Sequence, residues 1–141
     1  MTFLVDTSVW SLAFRRDAPA REPEVAVLTA ALAGAEDVVT TGLVLQELLQ
    51  GFAGPKAASA IIDRFSALAL VHPDREDHIS AAELRNQCRR AGVQIGTIDA
   101  LIAQLCIRND LTLLTTDQDF RHAAKHCRLR IWTSKARARR H

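Results

Sequence analysis

Four acidic residues stand where a strand–helix chain turns its side chains toward one place: Asp6, Glu47, Asp99 and Asp117. Asp6 closes the apolar run Phe3-Leu4-Val5, and Asp117 follows Leu111-Thr112-Leu113-Leu114-Thr115-Thr116. Both lie just past predicted strands, and open α/β sheets bind ligands beyond the carboxyl ends of their strands. Glu47 sits in helix-like Leu45-Gln46-Glu47-Leu48-Leu49, and Asp99 opens Thr97-Ile98-Asp99-Ala100-Leu101-Ile102. Carboxylates gathered at one edge raise one another's pKa and strain the fold, and a divalent cation relieves that repulsion. An all-oxygen donor set selects Mg²⁺ or Mn²⁺ over zinc, with one or two carboxylates bound directly and the others acting through water. A cation so held polarises a phosphodiester and lowers the pKa of its bound water.

Each acid taken alone has an ordinary explanation. Asp6 fits an N-cap or the first turn of a helix, with Thr7 or Ser8 able to cap in its place, Asp99 fits a first turn after Thr97 as cap, and Asp117 fits a cap in its own right. Asp119 is then left over, as an accessory acid or an exposed one. Glu47 reads as a solvated residue, except that Leu43, Val44, Leu45, Leu48 and Leu49 around it predict partial desolvation. The conjunction of all four points to a metal.

Other chemistries are poorly served. His122 and His126 are one helical turn apart but have no third zinc ligand, and His72 and His78 merely flank a predicted helix start. Ser8 lacks the Gly-x-Ser-x-Gly elbow of a hydrolase, and no glycine-rich phosphate loop is present. A phosphatase of the haloacid type needs a second aspartate where this chain has Ser8, and a receiver needs a late lysine that is not found.

The elements that must position these acids alternate. Strands are predicted at Phe3–Val5, Val38–Thr40, Leu68–Val71, Leu111–Leu114 and Leu129–Trp132. Between them run helices: one from Thr7 or Ser8 with Val9, Leu12 and Ala13 on a face, and one carrying Val25, Leu28, Ala31 and Leu32, ended by Gly34. The next spans about Leu43–Phe52, then Ala57–Phe65 with Ile61, Ile62 and Phe65 inward. A long helix capped by Asp74 reaches about Ala91 with a weak apolar face, suited to loose packing or a partner. The clearest amphipathic helix carries Ile98, Leu101, Ile102 and Leu105, and a short one covers Gln118–Lys125. Strands alternating with helices on short loops predict a parallel sheet covered on both faces.

A chain of 141 residues with 48% hydrophobic residues makes one domain with a genuine core. No run nears the roughly 20 apolar residues of a membrane span, and the start does not read as a signal peptide. Cys88, Cys106 and Cys127 are odd in number and widely spaced, which fits buried thiols in a reducing, cytoplasmic setting. The net charge of +2 is modest, yet Lys135, Arg137, Arg139 and Arg140 crowd the last seven residues. On charge alone that tail reads as a solvated end.

In order along the chain, four segments resemble the motifs of PIN-domain ribonucleases, particularly the VapC toxins of VapBC toxin–antitoxin systems. They are Val5-Asp6-Thr7-Ser8-Val9-Trp10, Leu45-Gln46-Glu47-Leu48-Leu49-Gln50-Gly51, Ile98-Asp99-Ala100-Leu101-Ile102-Ala103 and Leu114-Thr115-Thr116-Asp117-Gln118-Asp119-Phe120. The resemblance implies a three-layer α/β/α sandwich with a central parallel sheet of about five strands, over a domain at 1–134 followed by a basic tail at 135–141. It implies a Mg²⁺-dependent endoribonuclease, with Mn²⁺ as a substitute, acting on structured RNA such as tRNA or ribosomal RNA. Asp6, Glu47, Asp99 and Asp117 would form the catalytic metal site, Asp6 and Asp99 as principal ligands, with Thr7, Thr115 and Asp119 in support. It further implies a homodimer, and a small antitoxin that binds the toxin and completes a heterotetramer or larger assembly. Arg15, Arg16, Lys135, Arg137, Arg139 and Arg140 become candidate phosphate contacts; Trp10 and Phe14 could stack on an unpaired base, but their helical spacing favours core or partner packing. The alternative is a PIN-like module that binds RNA or a partner without cutting.

Overall fold

The computed structural model describes residues 1–15 and 21–134. Arg16 and the basic residues Lys135, Arg137, Arg139 and Arg140 lie outside the described residues.

Leu4, Val5, Leu113 and Leu114 have no solvent exposure, as expected of strands covered on both faces. They belong to β1 (Thr2–Val5) and β4 (Thr112–Leu114). With β2 (Asp37–Thr40), β3 (Ala69–Leu70) and β5 (Arg130–Ile131) they form a five-stranded sheet in the order β3-β2-β1-β4-β5. All four pairings are parallel. Single hydrogen bonds carry the ladder past these ends, Val71 N–H to Thr40 O at 2.7 Å and Trp132 N–H to Leu113 O at 3.0 Å. The chain winds outward from β1 through β2 to β3, then crosses back to start β4 on the other side of β1. The switch point of this α/β sandwich therefore lies between β1 and β4, where such sheets open a crevice.

Seven helices flank the sheet among the described residues: α1 (Thr7–Phe14), α2 (Pro23–Ala30), α3 (Gly42–Gly51), α4 (Pro55–Ser66), α5 (Arg75–Arg90), α6 (Thr97–Arg108) and α7 (Gln118–Ala123). Helix α2 runs on into a wider turn over Ala31–Ala35, which Gly34 ends at φ 110°. A side chain is strained in that left-handed region, which is why glycine stands there.

Four local expectations are corrected. Asp6, not Thr7 or Ser8, is the N-cap residue of α1, and Gly96, not Thr97, that of α6; neither helix has a side-chain cap. Ile61 and Phe65 are buried, but Ile62 is 52% exposed, because it falls off the stripe that faces the core. On α1 it is Val9 and Trp10 that are buried, while Ala13 is exposed. Trp10 is a core residue, its ring centroid 4.8 Å from that of Phe65 and 6.0 Å from that of Phe14, so it does not present a face to an unpaired base.

The fourth correction concerns α5. Its apolar face is narrow, but it packs closely along α6 rather than loosely. Ala81, Leu84 and Cys88 are buried, and the stripe is completed by a buried carboxylate, Asp77. Asp74 and Asp77 make a reciprocal capping box, each side chain accepting the other's N–H at 2.9 Å. Arg108, in the last turn of α6, donates to Asp77 Oδ1 at 2.6 Å and to the His72 carbonyl at 3.1 Å. Burial pushes the Asp77 carboxyl up, but the Arg108 bond and the Asp74 and Gln104 donors outweigh it and leave it below the ordinary range. One buried carboxylate thus both caps α5 and fastens it to α6.

Removing Arg108 should therefore cost more than a surface pair. Arg108→Ala is expected to lower unfolding stability at pH 7 by about 2 kcal/mol; the 38% exposure of Arg108 keeps the loss below that of a fully buried pair. Because the Asp77 pKa is lowered from 3.8, the pair stabilises above that value and its contribution fades as pH falls through the lowered one. Urea titrations should show the gap between variant and wild type closing below about pH 4.

Candidate active site

The switch point is built from two turns that the sheet brings side by side. Val5 pairs with Leu114 in the last register of β1 and β4, and the Asp6 N–H donates to the Leu114 carbonyl at 2.9 Å. This continues the ladder one residue past β1 and sets Asp6 beside Thr115. The Thr115 hydroxyl donates to Asp6 Oδ2 at 2.9 Å, and the Ser8 hydroxyl donates to the same oxygen at 2.7 Å. Each hydroxyl has one hydrogen, and both go to the carboxylate. The oxygens accept backbone N–H groups instead, Thr116 onto Ser8 Oγ at 3.1 Å and Asp117 onto Thr115 Oγ1 at 3.0 Å. The 3.3 Å approach of the two hydroxyl oxygens is then a contact of two acceptors. Arg121 steadies the second turn by donating to the Thr115 carbonyl at 3.1 Å.

Asp6 is buried, which pushes its carboxyl up; the Ser8 and Thr115 hydroxyls and the nearby Thr7 and Ser8 N–H groups pull it back toward ionisation. Its carboxylate is thus committed to the hydroxyl network while leaving α1 without a side-chain cap.

The other acids are placed by helices that start or pass at the same edge. Asp117 is the N-cap of α7 and accepts the Asp119 N–H at 2.9 Å, so it has the capping role expected of it and still faces the site. Asp99 is the third residue of α6, half-buried, and it feels the whole group. Its pKa is pushed up to about 7, first by burial and then by the charges of Asp6, Asp117, Glu47 and Asp119. Glu47, on α3, is exposed by its own surface, yet partial desolvation and the Asp6 charge raise its pKa, as its leucine surroundings predicted. The Thr7 hydroxyl favours the ionised form of Glu47 but is buried with no hydrogen bond of full geometry. The Cys106 thiol is pushed up to about 12 by burial, with the Asp6 charge adding to it, and is an inert core group.

The structure therefore sets Asp6, Glu47, Asp117 and Asp119 within electrostatic reach of Asp99, and Asp6 within reach of Glu47, with Thr7 turned toward Glu47 and Thr115 bonded to Asp6. Among the described residues, no three histidines, cysteines or acids already stand close enough to hold an ion. Arg15 is exposed at the far end of α1, about 13 Å along the axis from Asp6, and is not part of the cluster. Ser8 is the residue that sequence reasoning undervalued. Considered there as a cap or a nucleophile, it is a donor to Asp6, and only the register of β1 against β4 reveals that use.

A family model for the PIN domain matches residues 3–126. The chain belongs to the PIN domain family. Solved structures share its fold at low identity. FitAcB from Neisseria gonorrhoeae superposes with a TM-score of 0.71 at 22% identity, covering 93% of this chain and 96% of that one. VapBC2 from Rickettsia felis, bound to a DNA fragment from its promoter, gives 0.72 at 22% identity over 94% and 98% of the two chains. VapC20 from Mycobacterium tuberculosis, described as a sarcin-ricin loop cleaving toxin, gives 0.68 at 22% identity over 91% and 98%. Comparison with curated proteins returns no match. In this PIN domain no helix among the described residues is long and apolar enough to cross a membrane.

The raised Asp99 pKa has a consequence for stability. The folded state prefers Asp99 protonated, so stability is greatest below the ordinary value of 3.8, falls as pH rises toward about 7, and is flat beyond. Asp99→Asn should remove that fall and stabilise the metal-free PIN domain at pH 8 by roughly 1–2 kcal/mol once solvent screening is allowed for. Thermal unfolding at pH 4 and pH 8 checks this: the variant's advantage should appear only at the higher pH.

Proposed function

We propose that this PIN domain is the toxin of a toxin–antitoxin pair and cleaves RNA as a divalent-metal-dependent endoribonuclease. One observation carries the reading. Burial, and then the charges of Asp6, Asp117, Glu47 and Asp119, raise the Asp99 pKa at the switch point of a parallel sheet. A fold has no structural use for that repulsion, and a bound cation removes it. The buried Thr7 hydroxyl at the same edge, turned toward Glu47 without a hydrogen bond of full geometry, is a further polar group there.

The donor set fits a hard cation in kind, being all oxygen. We read the ion as Mg²⁺, which is held by one or two carboxylates and keeps several waters, rather than an ion caged by protein. Asp6 and Asp99 would be its direct ligands, with Glu47 and Asp117 acting directly or through water, and Mn²⁺ as a substitute. When bound, the cation supplies charge for the scissile phosphate and acidity for a water molecule. The chain's own part is preorganisation. Ser8 and Thr115 fix one oxygen of Asp6, Asp117 holds the entry to α7, and Asp99 gives up its proton as the site is loaded. Asp119 supports from the margin.

Several readings rest on the family resemblance together with the likeness to FitAcB, VapBC2 and a sarcin-ricin loop cleaving toxin. They are structured RNA as substrate, a cognate antitoxin, a homodimer, and a heterotetramer or larger with the antitoxin, in the cytoplasm. We take 1–134 as the catalytic domain and 135–141 as a basic tail. Arg15, Arg16 and the tail's Lys135, Arg137, Arg139 and Arg140 are candidate phosphate contacts.

Two outcomes test this. Purified, antitoxin-free protein should cut total cellular RNA into discrete fragments with Mg²⁺ or Mn²⁺ and not with chelator. Asp6→Asn should lower the rate by at least about 100-fold while keeping the circular dichroism and cooperative unfolding of the wild type. Full activity in Asp6→Asn would overturn the assignment. Because a proton and a cation compete for Asp99, Mn²⁺ affinity measured by calorimetry should rise from pH 6 to pH 8 in the wild type and lose most of that rise in Asp99→Asn.

A further inference from the structure

A cavity of about 310 Å³ adjoins the acidic cluster, lined by Arg85, Arg89, Val93, Gln94, Ile95, Gly96 and Asp119. Three elements build it: the last turns of α5, the 93–96 connector, and the first turn of α7. Asp119 is the shared wall. It borders this cavity, and its charge is one of those that raise Asp99. Gly96, the uncapped N-cap of α6, lies three residues before Asp99. The cavity thus opens beside the acids and has the opposite charge.

Arg85 and Arg89 are one helical turn apart on α5 and face the same space. The Arg85 Nε donates to the Ile95 carbonyl at 3.0 Å, which fixes the plane of its guanidinium against the connector. Among the described residues neither arginine forms an ion pair with a carboxylate, although Asp119 lines the same cavity. Two arginines elsewhere are ion-paired, Arg108 with Asp77 and Arg130 with Asp110. A guanidinium held in plane and a second beside it, neither ion-paired to Asp119 across the cavity, make a fork suited to phosphate oxygens. The volume is at the low end of ligand-sized pockets, about 300–1,000 Å³, and suits one phosphate with its sugar.

Resting on the ribonuclease reading above, we infer that the Arg85–Arg89 cavity binds a backbone phosphate of the RNA strand next to the one presented to the acids. The substrate meets two fields in sequence. The arginines attract the strand, and the acids, which alone would repel it, receive it once loaded with a cation. These two residues share a cavity with Asp119, whereas Arg15 lies at the far end of α1.

Arg89 is exposed and makes no side-chain hydrogen bond among the described residues, so its substitution leaves the fold intact. The probe is a fluorescein-labelled 12-nucleotide single-stranded RNA of mixed sequence, bound in chelator so that no cleavage occurs, with anisotropy read from 50 to 200 mM salt. Arg89→Ala should weaken binding three- to tenfold, Arg89→Glu more, and Arg89→Ala should reduce the slope of log affinity against log salt by about 0.7. Arg75→Ala, at the opposite end of the same helix, should change neither. Arg85→Lys, which keeps the charge but not the planar fork, should lie between wild type and Arg89→Ala. Wild-type affinity and slope in both Arg89 variants, or an equal loss in Arg75→Ala, would overturn the inference. The two readings fail separately. A protein that never cleaves but loses RNA with Arg89 keeps the cavity and loses the ribonuclease. A protein whose cleavage needs Asp6 but whose RNA binding ignores Arg89 does the reverse.

Discussion

The arrangement depends on one oxygen. Asp6 Oδ2 accepts the hydroxyls of Ser8 and Thr115, residues 107 apart in the chain, at 2.7 and 2.9 Å. Burial opposes an ionised carboxylate, and two charge-directed hydroxyl donors favour it. The same two hydroxyls accept the N–H groups of Thr116 and Asp117, so the β4–α7 turn is shaped by the residue that Asp6 orients. The two strand ends at the switch point are thereby fixed to each other through a carboxylate rather than through apolar packing. The start of α7, and Asp117 with it, follows from that bond network.

Around this oxygen the molecule handles charge in two opposite ways. At the α5–α6 seam a buried carboxylate is fully answered. Asp77 receives Arg108, Gln104 and the Asp74 N–H, and its pKa falls. At the switch point burial, and then the charges of Asp6, Asp117, Glu47 and Asp119, push the Asp99 carboxyl up to about 7. The first arrangement is what a fold does when it needs a charge for stability. The second lowers stability and persists in natural proteins mainly where function requires it. The contrast within one chain makes the switch point, rather than any buried acid, the candidate site. Asp77, by this reasoning, is structural.

Much of this was legible in the sequence. The strand–helix alternation, the apolar β1 and β4 runs, the Asp74 cap and the Gly34 stop all follow from local rules, and the structure has them where they were expected. The failures share a cause. Asp77 lies on the core face of α5 yet scores as polar, so the helix looked weakly anchored, whereas its partner Arg108 is 31 residues away. Thr7 and Ser8 looked like caps because hydroxyls before a helix usually are, but in the fold Ser8 is drawn to Asp6 and Thr7 lies toward Glu47. Nothing local to Arg85 and Arg89 shows that the 93–96 connector closes a cavity over them.

The sequence by itself determined the α/β class, the PIN family motifs and the identity of the four acids, because each of these is written in short stretches of chain. Only the tertiary structure decided that the acids share one electrostatic environment, that Ser8 and Thr115 serve Asp6, and that a basic cavity stands at its side. Those facts depend on the parallel register that puts Val5 opposite Leu114 and on the crossover that reverses the winding between β1 and β4. Contacts between residues a hundred positions apart are set by how strands pair, and no local pattern of residues carries that information.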